Sequence, residues 1–230
     1  MIIAQRMVDL GRWIELVLSG QEDLTIVHRA RGRWIAPIVA LISAGMVYGA
    51  AMGSFDVITR LNALQMLYSA VKVPLLLGVT FVLSLPLFFV LNTLLGTRDD
   101  FAQVLRSLIV TQAVLTIILA SFAPLTLFWY LSWGRYDTAV LFNVVMFGGA
   151  SLASQVVLKR CYTPLIAANP IHRNLVRVWL VIYAFVGIQM GWVLRPFIGT
   201  PGLPVRFLSD ETWGNAYVKV GTLVWRVMGG

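Results

Sequence analysis

Long stretches without a charged residue dominate the hydropathy pattern of the chain. Five stretches contain no Asp, Glu, Lys or Arg, and they cover residues 34–55, 73–97, 107–134, 138–158 and 178–194. A helix of about 20 apolar residues, roughly 17–25, is long enough to cross the hydrocarbon core of a membrane. Strands of a membrane β-barrel would instead alternate over segments of about 10 residues. The pattern predicts an all-α polytopic membrane protein built as a bundle of five transmembrane helices.

The segment that precedes the first run has the pattern of an amphipathic helix. Its apolar side chains recur at positions 3, 7, 10, 14 and 17, and its charged side chains fall largely off that stripe. We expect this N-terminal amphipathic helix to be interfacial, lying flat on the cytoplasmic leaflet; the alternative is a docking helix for a soluble partner. Arg29, Arg31 and Arg33 follow as a basic collar that suits anionic lipid headgroups.

The distribution of charge divides the chain into three parts and orients it. Residues 1–33 are expected to form the cytoplasmic helix and collar, residues 34–195 the transmembrane domain, and residues 196–230 an extramembrane tail. Because the first run begins only at residue 34, we expect a retained span and not a cleaved signal. Lys and Arg concentrate before the first run and between the fourth and fifth runs. The positive-inside rule then predicts a cytoplasmic N-terminus and a far-side C-terminus in the cell inner membrane.

Small residues in the first run predict close helix packing. Gly45, Gly49 and Gly53 are spaced by four residues and therefore lie on one helix face. Such a face allows two helix backbones to approach closely. The partner helix is expected within the same bundle, and a dimer seam is the alternative.

Prolines predict where the apolar helices bend. Pro74 lies at the start of the second run, and the residue before a proline disfavours the α conformation. We therefore expect residues 61–71 to form a separate interfacial helix, hinged at 72–74 to the span. Pro86 and Pro124 lie deeper in the second and third runs, and we expect a kink at each.

Lys72 is a charged residue that borders an apolar run, and this position suggests a functional role. It directly precedes the second run, and Tyr68 lies one helical turn before it. The hinge would place Lys72 at the outer interface, where its ammonium group can reach the headgroups. The alternative is a specific bond to a lipid phosphate or to a carboxylate of a partner protein. Lys72 and Tyr68 are thus candidate lipid or partner contacts.

The chain shows little that predicts chemistry. All carboxylates lie outside the charge-free runs, and His28 and His172 lie in basic segments where a surface position is expected. The segment 159–177 is expected to be the most polar internal loop. The single Cys161 has neither a disulfide partner nor metal-ligand spacing. We therefore expect no cofactor, no metal and no enzymatic activity. The net charge of +8 flanks the spans, so topology explains it better than a nucleic-acid partner does.

Two neighbouring stretches carry a family resemblance. The sequences AVKVPLLLGVTFVLSLP and TRDDFAQVLRSLIVTQAVL, with the five-span layout over roughly residues 34–195, resemble bacterial Yip-like membrane proteins. That resemblance implies a five-span integral membrane fold. It does not extend to Rab binding, because the signature of the eukaryotic members around the first two spans is not seen.

These observations favour a non-enzymatic membrane scaffold or an accessory subunit of a larger inner-membrane complex. The expected partners are the lipid bilayer and other membrane-protein subunits. A transporter or channel for a lipid or a weakly charged solute, with cavities at Pro86 and Pro124, is the alternative. A lipid enzyme that uses Lys72 comes third.

Overall fold

The computed structural model describes residues 35–60, 63–133, 135–199 and 205–208, without the side chains of 56 and 58–60. The amphipathic helix and the collar at Arg29, Arg31 and Arg33 lie outside the described residues. The described residues contain helices and no strands. The helices are α1 (Ile35–Arg60), α2 (Ala63–Leu94), α3 (Phe101–Ser121), α4 (Ala123–Ser132), α5 (Tyr136–Ala168) and α6 (Ile171–Val193).

Five helical segments of the described chain are long and apolar enough to cross a membrane. They are Ile35–Phe55, Ala63–Leu94, Phe101–Ser132, Tyr136–Ala168 and Ile171–Val193. The third combines α3 and α4, which continue one another on either side of a turn at Phe122. The prediction of an all-helical chain with five membrane-length apolar helices is confirmed.

The surface of the bundle is far more apolar than that of a water-soluble protein, and polar side chains lie among the apolar ones in its interior. Polar side chains such as Ser84, Thr116 and Ser154 are fully buried between helices, whereas Leu94 and Val181 are 76% and 70% exposed. Water-soluble proteins bury most of their large apolar side chains and expose their polar ones. An apolar surface is what lipid tails favour, so the arrangement is compatible with a multi-pass membrane protein.

The helices form an open arc and not a closed ring. Helix α1 lies in the middle and contacts α2, α3 and α4. Helix α6 packs mainly on α2, and α5 packs mainly on α3, while α5 and α6 contact each other much less. The bundle therefore has an open side between α5 and α6.

The two ends of the bundle differ in how tightly they pack. At one end, called here the loop end, lie the turns around residues 95–100 and 169–170. There Trp179 of α6 packs against Phe81 and Phe88 of α2, with ring centroids 5.6 and 4.9 Å apart. The same apolar cluster includes residues of α3 and α5. The helices are thus held together at the loop end, and the arc opens toward the opposite end.

The glycine face of α1 lies against α2 of the same chain. A Cβ atom on Gly49 would lie 2.2 Å from the carbonyl oxygen of Ser69, and one on Gly53 would lie 2.7 Å from the Cα of Met66. Gly45 faces the ring of Pro74. The structure places this face inside the bundle, and at Gly49 and Gly53 only glycine leaves room for the neighbouring backbone.

The prolines occupy different positions in their helices. Helix α2 runs without interruption from Ala63 to Leu94, with Pro74 and Pro86 in its interior, so the expected hinge at 72–74 is wrong. Neighbouring helices can stabilise a proline-containing membrane helix, and here Gly45 of α1 packs directly on Pro74. Near Pro124 the helix is interrupted at Phe122, and the proline falls in the first turn of α4, where a missing N–H has little effect.

Two further expectations at the loop end are corrected. Residues 159–177 do not form a polar loop, because α5 continues to Ala168 and α6 begins at Ile171. A charge-free run marks only the part of a helix that matches the thickness of the membrane. The helix itself can continue beyond that part into water. His172 is fully buried and not on the surface. Its Nε2 lies 3.0 Å from Oδ2 of Asp100, which joins the two turns of the loop end.

Candidate functional site

A stripe of three polar residues on α2 marks the end of the bundle opposite the loop end. Gln65, Ser69 and Lys72 follow one another at intervals of four and three residues, so they share one helix face. Each of the three is 0% exposed. Buried polar groups require hydrogen-bond partners, and a buried ammonium group requires them most.

The partners of this stripe are backbone carbonyls that follow α6. Lys72 Nζ donates to the carbonyl of Pro196 at 2.6 Å. Gln65 Nε2 donates to the carbonyls of Pro196 and Phe197 at 3.2 and 3.1 Å, and Ser69 Oγ donates to the carbonyl of Phe197. We call residues 195–199 and 205–208 the cap, and this end of the bundle the cap end. Two carbonyls of the cap thus accept hydrogen bonds from all three residues of the stripe.

Aromatic side chains of the cap enclose the ammonium group. The Nζ atom of Lys72 lies 5.9 Å from the ring centroid of Phe197 and 5.1 Å from that of Phe207. Both distances are within cation–π range. Tyr68 packs edge-on against Phe207, with ring centroids 5.4 Å apart. Lys72 therefore contacts its own chain, an arrangement that neither sequence-based interpretation had considered, since both placed its ammonium group among lipids or partners.

A cavity of about 810 Å³ lies beside the cap, on the open side of the bundle. Its walls come from α5 and α6, its floor includes Met52 of α1 and Leu76 of α2, and the cap closes one end. Side chains on α5 and α6 make its walls largely apolar; they include Val140, Val144, Phe147 and Ile188. The cavity exists because α5 and α6 separate toward the cap end, while the loop end holds them together.

A few polar groups line this apolar space. Gln65 Oε1 is buried and has no hydrogen-bond partner among the described residues. Arg195 and Arg206 of the cap line the cavity as cations, and the Arg195 guanidinium lies 3.3 Å from the ring centroid of Trp192. Within the described part of the chain, no carboxylate belongs to the lining. A mostly apolar cavity with a few convergent polar groups is the usual form of a small-molecule site.

A hydrogen-bonded core supports the wall formed by α5. Asn143 accepts a hydrogen bond from Tyr48 Oη at 2.9 Å, and its Nδ2 donates to Tyr130 Oη and to the carbonyl of Ala139. Tyr130 in turn donates to the carbonyl of Met52 at 3.3 Å. Asn143 also lines the cavity, so this network connects the cavity wall to α1 and α4.

The structure brings together only some of the residues singled out from sequence. Lys72 and Tyr68 meet at the cap, beside the cavity. Pro86 and Pro124 do not belong to the described lining, so this cavity arises from the separation of α5 and α6 and not from a proline kink. Among the described residues, no three His, Cys, Asp or Glu side chains form a group that could hold a metal ion.

Sequence reasoning missed several residues of this site. Gln65 and Ser69 could have been recognised, because with Lys72 they form a polar stripe at helical spacing beside an apolar run. Arg195 and Arg206 carried no such signal, since their position depends on the fold of the tail. Comparison of the chain with protein-family models, with curated proteins and with solved structures gives no match.

Proposed function

We propose that the protein binds a lipid or another weakly charged amphiphile in the capped cavity and moves it between the bilayer and the cap end. The carrying observation is the cavity itself, whose volume of about 810 Å³ lies within the range of roughly 300–1,000 Å³ common for small-molecule sites. Its position on the open side of an apolar bundle supports lateral entry from the hydrocarbon region. Entry between α5 and α6 requires no passage through the packed loop end.

The cap supplies the second part of this proposal. Its carbonyls are held by Gln65, Ser69 and Lys72, all on one rigid helix. The cap is closed while its carbonyls accept these three side-chain hydrogen bonds. Breaking the hydrogen bonds lets the cap move away and opens that end of the cavity. A ligand that enters from the side would leave past the cap.

A flux assay with matched glycine variants tests this function. The purified full chain is reconstituted into liposomes, and the movement of a fluorescent single-chain lipid between leaflets is followed. In Gly191→Leu the added side chain takes up part of the cavity, because Gly191 lines it with open space around its Cβ position among the described atoms. Gly78→Leu is the control, since Gly78 has the same open space but is outside the described lining. We expect loss of flux in Gly191→Leu alone; equal flux in both variants contradicts the proposal.

A scaffold role is the second candidate, and one surface favours it. Gly148 and Gly149 of α5 are exposed and have open space at their Cβ positions among the described atoms, unlike the glycines of α1. Leu152, which is strongly exposed, lies one turn further along the helix. A helix of another subunit could pack on this face as α2 packs on α1. Mild-detergent purification with mass analysis tests this: a lone monomer argues against it, and a complex disrupted by Gly149→Leu supports it.

The orientation belongs to the same proposal. A cytoplasmic N-terminus in the inner membrane places the loop end in the cytoplasm and the cap on the far side. The described cations toward the loop end support this assignment through the positive-inside rule; they include Arg98, Arg106, Lys159, Arg160, Arg173 and Arg177. A reporter fused after Gly230 that is active only in the cytoplasm would overturn it. Membership of a Yip-like family remains a proposal that rests on the two stretches quoted above.

A further inference from the structure

The three donors of the polar stripe on α2 converge on two oxygen atoms of the cap. Lys72 Nζ and Gln65 Nε2 both donate to the carbonyl oxygen of Pro196, at 2.6 and 3.2 Å. Gln65 Nε2 also donates to the carbonyl oxygen of Phe197 at 3.1 Å, and Ser69 Oγ donates to that same oxygen. An ammonium, an amide and a hydroxyl group therefore lie within hydrogen-bond distance of one pair of oxygens.

The cap leaves the charge of Lys72 without a counterion. An ammonium group carries three N–H donors, and among the described residues only the carbonyl oxygen of Pro196 accepts from this one. The rings of Phe197 and Phe207 also face it, and no described carboxylate is bonded to it. Lys72 is fully buried, so water does not offset the charge. Hydrogen bonds between two charged groups are about twice as strong as those between neutral groups, so an anion would be a better partner than a carbonyl.

The same stripe borders the cavity through the residues that cover it. Gln65, Pro196 and Phe197 all belong to the lining, whereas Lys72 and Ser69 are buried and outside the described lining. A molecule in the cavity thus meets the cap before it can reach the ammonium group. Movement of the two carbonyls away from α2 would open all three donors to the cavity.

The walls of the cavity determine how such a molecule is oriented. The side chains that α5 and α6 contribute are largely apolar; they include Val140, Val144, Phe147 and Ile188. These walls suit an alkyl chain, and the cap closes one end of the space between them. An amphiphile whose chain packs on α5 and α6 can therefore place its polar head against the cap, beside the two carbonyls.

From this convergence we infer that the singly charged oxyanion head of an amphiphile displaces the carbonyls of Pro196 and Phe197 and accepts the hydrogen bonds of the polar stripe. Two free oxygens, such as those of a phosphodiester, replace the two carbonyl oxygens. The negative charge supplies the counterion that the cap lacks. This inference rests on the proposed function and names what opens the cap, because the cap carbonyls and the ligand head compete for the same three donors.

Three phosphate esters separate the contribution of the charge from that of the chain. Hexadecyl methyl phosphate is an anionic diester with two free oxygens, hexadecyl dimethyl phosphate is the neutral triester with the same chain, and dimethyl phosphate is the anionic head alone. Binding to the purified full chain in a neutral detergent is measured by native mass spectrometry. We expect the long-chain diester to bind about tenfold more tightly than the triester, because its oxygens accept charge-assisted hydrogen bonds. Equal affinity of these two probes overturns the inference, and so does equal affinity of dimethyl phosphate and the long-chain diester.

Displacement of the cap has a signature of its own. Amide hydrogen exchange in residues 197–199 reports whether the cap stays on α2. The long-chain diester should accelerate this exchange, and the triester should accelerate it less, because the triester cannot neutralise the ammonium group. Exchange that the diester leaves unchanged, or that both probes accelerate equally, contradicts displacement by the charged head.

Two lysine variants carry the same chemical change at different places. Lys159 is exposed on α5 toward the loop end and is outside the described lining, so Lys159→Met is the control for Lys72→Met. We expect the preference for the long-chain diester over the triester to disappear in Lys72→Met and to persist in Lys159→Met. If Lys72→Met changes the affinity for both probes by the same factor, Lys72 only holds the cap, and the inference is wrong.

A smaller change provides a second variant that preserves the packed helices. Ser69→Ala removes one hydroxyl donor, and we expect it to reduce the preference for the long-chain diester about threefold, because the donor bonds more strongly to a charged oxygen than to a cap carbonyl. An unchanged preference in Ser69→Ala contradicts the role of the stripe, including in the case that Lys72→Met does not fold.

Failure of this inference is distinguishable from failure of the proposed function. If Gly191→Leu weakens the binding of both long-chain probes and Lys72→Met leaves the preference for the diester intact, the cavity binds amphiphiles without the stripe, and only this inference is overturned. If Gly191→Leu changes the binding of neither probe, the site is not this cavity, and both are overturned.

Discussion

Replacement of single glycines by alanine provides a sharp test of the α1–α2 interface. A helix interior gains about 1 kcal/mol when glycine becomes alanine, because glycine loses more backbone entropy on folding. At Gly148 the added methyl group meets open space among the described atoms, so this gain is the expected result. At Gly49 the methyl group would lie 2.2 Å from the Ser69 carbonyl oxygen and 2.9 Å from the Cα of Ala70. These are backbone atoms, and they can yield only if the two helices move apart.

The magnitude follows from these distances. Overpacking costs typically about 1–3 kcal/mol, and contact with backbone places Gly49→Ala at the upper end of that range. After the gain in helix propensity, we expect a net loss of about 2 kcal/mol in the free energy of unfolding. Gly53→Ala, at 2.7 Å from the Cα of Met66, should lose nearly as much. Gly45→Ala, at 3.3 Å from Pro74 Cβ, should be close to neutral.

Denaturant unfolding in mixed micelles, followed by tryptophan fluorescence, measures this series. The four variants carry the same chemical change, so differences among them report the space beside each glycine. The expected order of stability is Gly148→Ala, Gly45→Ala, Gly53→Ala and then Gly49→Ala. Equal stability of Gly49→Ala and Gly148→Ala would refute the close approach of α1 and α2.

Two further predictions concern the cap and the network behind it. Lys72→Met keeps the length of the side chain but removes the ammonium–carbonyl bond to the cap, worth about 1.5–3 kcal/mol for a charged donor. We expect faster amide hydrogen exchange in residues 197–199, and unchanged exchange there would show that Lys72 does not hold the cap. Asn143→Leu keeps the approximate volume but leaves two buried tyrosine hydroxyls without their amide partner. The expected loss is about 1–3 kcal/mol of unfolding free energy, measured in the same micelles, and wild-type stability would contradict the network.

The outcome at the loop end shows where hydropathy gives reliable boundaries and where it does not. The charge-free run that ends at residue 158 predicted the existence of α5 but not its length, since the helix continues to Ala168. Hydrogen bonding within a helix does not stop where the membrane does. His172 illustrates a second limit: its basic neighbours in sequence predicted exposure, but α6 turns it toward Asp100 and the edge of the Tyr162 ring.

The candidate site was predicted only in part. Lys72 was singled out from the sequence, together with Tyr68 one turn before it, because a charge beside an apolar run is visible in the sequence itself. Their partners were not, since Lys72 bonds to a carbonyl 124 residues away. No local pattern reports that the chain after α6 returns to α2. The glycine face had two candidate partners, and the tertiary structure places α2 against it.

The sequence by itself determined that the chain forms five apolar helices of membrane length. That property is local, because each segment must bury its own backbone hydrogen bonds and match its own surface to hydrocarbon. Only the tertiary structure decided which helix faces meet, where α5 and α6 separate, and what covers Lys72. Those features depend on the relative position of segments far apart in the chain. The cavity and its cap are therefore products of packing, and their residues become a site only when the bundle is assembled.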